Sequence, residues 1–200
     1  MPKLVLASQS AVRRQVLTNA GLHFDVEAAD VDETATKRTL TTTGAEAGEI
    51  AAALAAEKAR TISAGRPGDL VIGADQILAC GSDLFDKPEG MAGARQHLQR
   101  LRGQTHQLHS AICLARAGEV IWQHMEIPCL TMRDFSDDEL EAYLAHSGDE
   151  ILGSVGAYRL EDIGVQLFAE ISGDYFSILG LPLLPLLAVL RQHGVLGIQG

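Results

Sequence analysis

A chain of 200 residues is the size of one ordinary domain and buries about 70% of the surface that its unfolded form exposes, so its core needs no covalent staples. With 46% hydrophobic and 21% charged residues and a mean hydropathy of +0.09, general disorder is excluded. The 16 Lys and Arg against 26 Asp and Glu leave a net charge of −10, which excludes long-range attraction to nucleic acid or anionic lipid and leaves any polyanion to a local basic cluster. Cys80, Cys113 and Cys129 are odd in number and lack CxxC spacing, against a disulfide framework or a structural zinc site and in favour of a reducing compartment. The longest apolar run, Ile178 to Leu190, spans 13 residues and contains Gly180, Pro182 and Pro185, short of the roughly 20 that cross a bilayer. Met-Pro-Lys-Leu-Val-Leu reads as the start of a strand and not as a signal peptide. A soluble cytoplasmic protein is the expectation.

In chain order, Leu4-Val5-Leu6 is a short apolar strand ending at Ser8-Gln9-Ser10, and Val12, Val16, Leu17 and Ala20 recur at helical spacing until Gly21. Phe24 to Val31 alternates well enough for a second strand, and the Thr-rich stretch from Asp32 to Gly48 is expected to be a mobile polar loop. Glu49 to Ala64 is Ala-rich and helical, ended by Gly65-Arg66-Pro67-Gly68, and Leu70 to Leu78 forms a third strand. Met91 to Arg102 reads as a helix, and Gln104 to Ala115 as a strand returning through Ala117-Gly118 into Val120 to Glu126, a hairpin. Asp137 to His146 is a helix with Ser136 and Glu139 as a capping box, and Pro182 to His193 is the last, apolar helix. Helices between strands, with no repeat and no linker, predict one α/β domain, with two lobes around a cleft compatible with the pattern.

Several residues break these patterns in ways that matter for chemistry. Ser8, Ser10, Arg13 and Arg14 stand at the mouth of the first helix, where free N–H groups and arginines attract phosphate. Equally, Ser10 serves as an ordinary N-cap there with both arginines solvated. No GxxxxGK[ST] or GxGxxG motif accompanies them. Lys58 falls within about 30° of the centre of the apolar stripe of Ile50, Leu54 and Ile62, so it either snorkels to the core edge or faces a ligand. Asp75 interrupts an apolar strand, and a buried carboxylate is costly without a partner, a metal or a cleft. Asp32-Glu33 and Asp86-Lys87 add further charges near strand ends, the ingredients of metal-assisted polyphosphate chemistry. His106 and His109 lie three apart in a strand and point to opposite faces, so they do not readily share an ion and are read as structural or as supports behind a site's own ligands. The cysteines read as small buried hydrophobes, and Trp122, Tyr158, Tyr175 and Phe176 are too scattered for a stacking platform.

The ordered set Leu-Ala-Ser-Gln-Ser-x-x-Arg-Arg (6–14), Val-Asp-Glu (31–33), Glu-Lys-Ala (57–59), Gly-Ala-Asp-Gln (73–76), Lys-Pro (87–88), Gly-Gln-Thr-His (103–106), Gly-Ala-Tyr (156–158), Gly-Asp-Tyr (173–175) and Gly-Leu-Pro-Leu (180–183) resembles the Maf family of nucleoside triphosphate pyrophosphatases, from residue 4 to about residue 193. One departure is Ala11-Val12, where that family usually has Pro followed by Arg or an aromatic residue. The resemblance implies a single Maf/ITPase-like α/β domain with a mixed sheet in two lobes around a central cleft. It implies hydrolysis of a nucleoside triphosphate to monophosphate and pyrophosphate with a divalent cation, Mg²⁺ or Mn²⁺. Carried over by position, Asp75 is the proton acceptor, Glu33 its acidic partner at the metal, and Asp75 itself a metal ligand or base. Lys58 joins these two in the catalytic set and, with Ser8, Ser10, Arg13, Arg14 and Lys87, faces phosphate. Val12, Gln76 and Glu161 fall at specificity positions. Gln76 and Glu161 follow the branch acting on 7-methyl-GTP, whereas dTTP- and UTP-hydrolysing branches have Thr and Gln there. The implied partners are the nucleotide and at most a second copy in a homodimer, with no membrane and no nucleic-acid polymer. A non-catalytic nucleotide-binding regulator of septum formation is the rival reading, and two carboxylates beside a polyanion speak against it.

Overall fold

A computed structural model describes residues 2–196. The chain opens with β1 (Leu4–Leu6), α1 (Ala11–Asn19), β2 (Asp25–Val26), α2 (Glu33–Thr42), α3 (Ala47–Gly65), β3 (Leu70–Cys80), β4 (Asp83–Phe85) and α4 (Gly90–Leu101). It continues with β5 (Thr105–Arg116), β6 (Glu119–Glu126), β7 (Cys129–Met132), α5 (Asp137–Ser147), β8 (Phe168–Ser172), a single turn α6 (Tyr175–Ile178) and α7 (Leu183–Gln192). Three 3₁₀ turns, Gly148–Gly153, Val155–Ala157 and Ile163–Leu167, fill the span between α5 and β8. The eight strands form a mixed sheet in the order β2-β1-β3-β5-β7-β8, with β4 on β3 and β6 on β5.

The chain divides into two compact units, one taking the chain up to Asp75, Ser110–Glu126 and the part from Asp174 onward, the other Gln76–His109 and Ile127–Gly173. In the first unit β1 pairs in parallel with β2 and β3, and Leu6, Leu17, Ile72, Leu114, Leu181 and Leu186 belong to one buried cluster. Its β5–β6 hairpin turns at Ala117 (φ 51°) and Gly118 (φ 83°), the two positive φ values that a tight hairpin matching strand twist requires. In the second unit β4 folds back on β3 and β7 is paired on both sides, by β5 and β8. The predicted capping box forms there, with Ser136 Oγ accepting from Glu139 N and Glu139 Oε2 from Ser136 N.

Two expectations change. Phe24 to Val31 yields only the two-residue β2, both of whose residues are exposed, because the alternation there has no buried face to serve. The Thr-rich stretch from Asp32 to Gly48 is not a loop: it holds α2 and the start of α3. Asp32 caps α2 by accepting from Ala35 N at 2.9 Å, and Thr36 Oγ1 donates to Glu57 of α3 at 2.9 Å, so capping and a helix–helix contact override weak propensity.

Candidate active site

The middle of β3 and the middle of α3 meet closely enough to set the site. A Cβ placed on Gly73 would stand 2.1 Å from the Ala55 carbonyl oxygen and 2.8 Å from Ala59 Cβ, so only glycine lets helix and strand approach this far. One turn along α3, Lys58 is brought over Asp75, two residues beyond Gly73. Lys58 and Asp75 are only 8% and 7% exposed, and Lys58 Nζ donates to Asp75 Oδ1 at 2.7 Å. The same ammonium meets Glu33 Oε1 at 2.9 Å. Glu33 opens α2, half-exposed, so its carboxylate faces the helix's own positive end. The lysine on the apolar stripe is therefore a buried bridge between two carboxylates and not a snorkelling surface residue.

The β1–α1 loop adds a second layer. Ser10 is the N-cap, its Oγ accepting from Arg13 N at 3.3 Å, so the capping role weighed for it is realised. Ser8 is buried, and its Oγ accepts from Ser10 N at 3.2 Å and from Arg13 Nη1 at 3.4 Å. Arg13 is not solvated. Its Nε donates to Gly180 O and its Nη1 to Ala74 O, each at 2.8 Å. Burial lowers the guanidinium's affinity for its proton, and the charges of Asp75 and Glu33 act against that fall. Arg14 is exposed and lines a different, open hollow with Lys3, Leu22, His23 and Phe24. Val12 is half-buried on α1. The structure thus brings together Ser8, Arg13, Glu33, Lys58 and Asp75 and leaves Arg14 outside that group.

Three of the sequence-derived positions lie in the second unit. Lys87 is exposed between β4 and α4, and Gln76 is half-buried on β3. Glu161 Oε1 accepts from Arg159 Nε at 3.2 Å. Arg159 also pairs with Glu150 and lies 4.0 Å from Asp162, so Glu161 belongs to an ion-pair group. His106 is fully buried, its Nε2 2.8 Å from Tyr158 OH, and burial drives its pKa down to about 4. It is a structural histidine, as its strand position implies. Among the described residues no group of three or more His, Cys, Asp and Glu side chains is placed to hold a metal ion. The three cysteines are free, with Cys113 buried and Cys80 and Cys129 half-buried. What sequence reasoning could not find are the Ala74 and Gly180 carbonyls that receive Arg13, since a backbone acceptor leaves no mark in residue type.

A mixed α/β fold with an ammonium held between two carboxylates beside a buried arginine defines an enzyme-type charge cluster just beyond the C-terminal end of the parallel strand β1 and of its pairing with β3, where α/β proteins place their chemistry. The chain belongs to the Maf family: the family model described as Maf-like protein matches residues 3–193. It is 52% identical over 196 residues to a nucleoside triphosphate pyrophosphatase of Nitrobacter hamburgensis, covering 98% of this chain and 96% of that protein. It is 49% identical over 191 residues to a 7-methyl-GTP pyrophosphatase of Brucella abortus, covering 96% of each. It is 48% identical over 195 residues to another 7-methyl-GTP pyrophosphatase, from Rhizobium etli, covering 98% of each.

Proposed function

We propose that the protein is a nucleoside triphosphate pyrophosphatase, hydrolysing its substrate to the nucleoside monophosphate and pyrophosphate, with 7-methyl-GTP as the preferred nucleotide. The observation that carries this reading is the buried Lys58 held between Asp75 and Glu33 in a chain of this family. Water attacks the α-phosphorus, the bond to the bridging oxygen breaks, and pyrophosphate leaves with the electron pair. Asp75 orients that water and accepts its proton. Lys58, Ser8 and Lys87 face phosphate and stabilise the charge that builds on the leaving group.

The donor set fits a hard divalent cation such as Mg²⁺ or Mn²⁺. Lys58 engages one oxygen of each carboxylate, and two carboxylates completed by substrate phosphates and water suit Mg²⁺ better than an all-protein cage would. Asp75 and Glu33 would hold the cation, which when bound supplies charge neutralisation of the triphosphate. For the base, Gln76 and Glu161, the specificity positions carried over from the family resemblance, are the proposed contacts. Methylation at N7 makes guanine cationic, which favours a carboxylate over an amide at position 161, and Gln76 can hydrogen-bond the base edge. The reading places the protein in the cytoplasm with its nucleotide substrate, and no helix among the described residues is long and apolar enough to cross a membrane.

The test is kcat/KM for 7-methyl-GTP, GTP, dTTP and UTP under one metal condition. We expect 7-methyl-GTP to be preferred and Glu161→Gln to erode the preference. A clear preference for dTTP or UTP moves the protein to the other branch of the family. Absence of pyrophosphate release from any of the four leaves the non-catalytic, nucleotide-binding reading.

A further inference from the structure

We infer that Arg13 is a positioning residue for Asp75 and that the turn from Asp174 to Gly180 is the abutment it rests on, an inference that builds on the pyrophosphatase reading above. An arginine grips phosphate with two adjacent nitrogens as a fork. In Arg13, Nε is committed to Gly180 O and Nη1 to Ala74 O and Ser8 Oγ, so each pair of adjacent nitrogens that could grip phosphate already has one member given to the protein. Ala74 O belongs to the peptide unit that ends at Asp75 N, and fixing that plane fixes the backbone from which the Asp75 carboxylate projects.

The acceptor on the other side is itself built. Asp174 Oδ1 accepts from Ser177 N at 3.0 Å, capping the short turn α6. Ser177 Oγ donates to Glu126 Oε2 at 2.7 Å, and Ser110 Oγ donates to the Ser177 carbonyl at 2.7 Å. Gly180 N donates to that same carbonyl at 3.0 Å, and Gly180 adopts φ +84°, a conformation that side chains resist. The turn thereby aims the Gly180 carbonyl at Arg13. This accounts for two motifs that no catalytic step uses, Gly-Asp-Tyr (173–175) and Gly-Leu-Pro-Leu (180–183).

The experiment compares Arg13→Lys, Gly180→Ala and the double variant in three measurements: steady-state kinetics on the best nucleotide, calorimetric binding of inorganic pyrophosphate, and amide hydrogen exchange at residues 74–76. Lysine keeps the charge but lacks the planar guanidinium whose separate nitrogens, Nε and Nη1, reach Gly180 O on one side and Ala74 O and Ser8 Oγ on the other. We expect each single variant to lose about 10–100-fold in kcat with KM and pyrophosphate affinity nearly unchanged, and the double variant to lose little more than the worse single one. Amide exchange at Asp75 should quicken in both. A phosphate ligand gives the opposite pattern: Arg13→Lys raises KM and weakens pyrophosphate binding, Gly180→Ala is silent and the effects add. That pattern overturns the inference, as does unchanged exchange at Asp75 in both variants. Should Gly180→Ala not fold, Asp174→Ala removes the cap of the same turn and is read in the same way. A wild-type protein that releases no pyrophosphate sinks the enzymatic reading, while the exchange data still decide the positioning one.

Discussion

Replacing Lys58 by Met keeps the apolar stem in its stripe and removes the charge, leaving Asp75, 7% exposed, without its ion-pair partner. Breaking a buried pair by removing one member typically costs about 3–5 kcal/mol, because the remaining charge stays desolvated. Glu33 is half-exposed and recovers hydration, so the cost centres on Asp75. We expect Lys58→Met to lower stability by about 3 kcal/mol and turnover by at least about 100-fold, read by thermal melting and kinetics. Asp75→Asn is nearly isosteric, spares Lys58 its contact with Glu33 and should cost less stability, yet it removes the proton acceptor and with it about 10²–10⁴-fold in kcat. Retention of more than about a tenth of wild-type kcat would rule out that role. The double variant Lys58→Met with Asp75→Asn separates the two contributions. With both charges gone, part of the stability should return while activity does not.

At the scale of elements, the packing of α3 on β3 is what turns two odd residues into a pair. Gly73→Ala forces a Cβ to within 2.1 Å of the Ala55 carbonyl, and because that neighbour is backbone the helix must move as a unit. Overpacking of this kind costs about 1–3 kcal/mol, and because Lys58 and Asp75 sit on the two displaced elements, turnover should fall as well. A Gly73→Ala variant with unchanged melting temperature and unchanged kcat would show that this close approach does not set the site. Lys58 and Asp75 were legible in the sequence because each contradicts the periodicity around it, and β1, α1, α3, β3 and the β5–β6 hairpin followed from continuous patterns and turn chemistry. The α2 helix was not legible. It buries no residue, and its stability comes from the Asp32 cap and from contacts with α3 that composition does not encode. Strands β7 and β8, of four and five residues, are too short for a period and exist through pairing with β5 and with each other. Arg13 was readable as a cation near an N-terminus, but its commitment to two carbonyls distant in sequence was not.

Over the whole molecule, pH dependence of stability separates into two windows. The carboxylates held below their usual range by arginines are exposed: Glu139 by Arg133, Glu141 by Arg95 and Asp25 by Arg66. Their contributions are present above the unfolded carboxylate pKa and disappear only as pH falls below it. His106 acts higher. Its ring is buried at 1% exposure against Tyr158 and Phe168, and burial lowers its pKa from 6.5 to about 4. As pH falls through 6.5 the unfolded chain takes up a proton at this position and the folded chain does not, so the unfolded state gains. The contribution of neutral His106 is therefore complete above about pH 6.5 and lost progressively down to about pH 4, by an amount on the order of 3 kcal/mol. Burial of His97 acts in the same direction. Urea unfolding from pH 8 to pH 4 should show the wild-type protein losing stability through this window, before the exposed carboxylates titrate. His106→Gln cannot titrate and retains an amide able to reach Tyr158 OH, so its curve should start lower at pH 8 and converge on the wild-type curve by pH 4. Parallel curves would mean that His106 takes up its proton in the folded state as readily as in the unfolded one, and that its hydrogen bond to Tyr158 does not depend on the neutral ring.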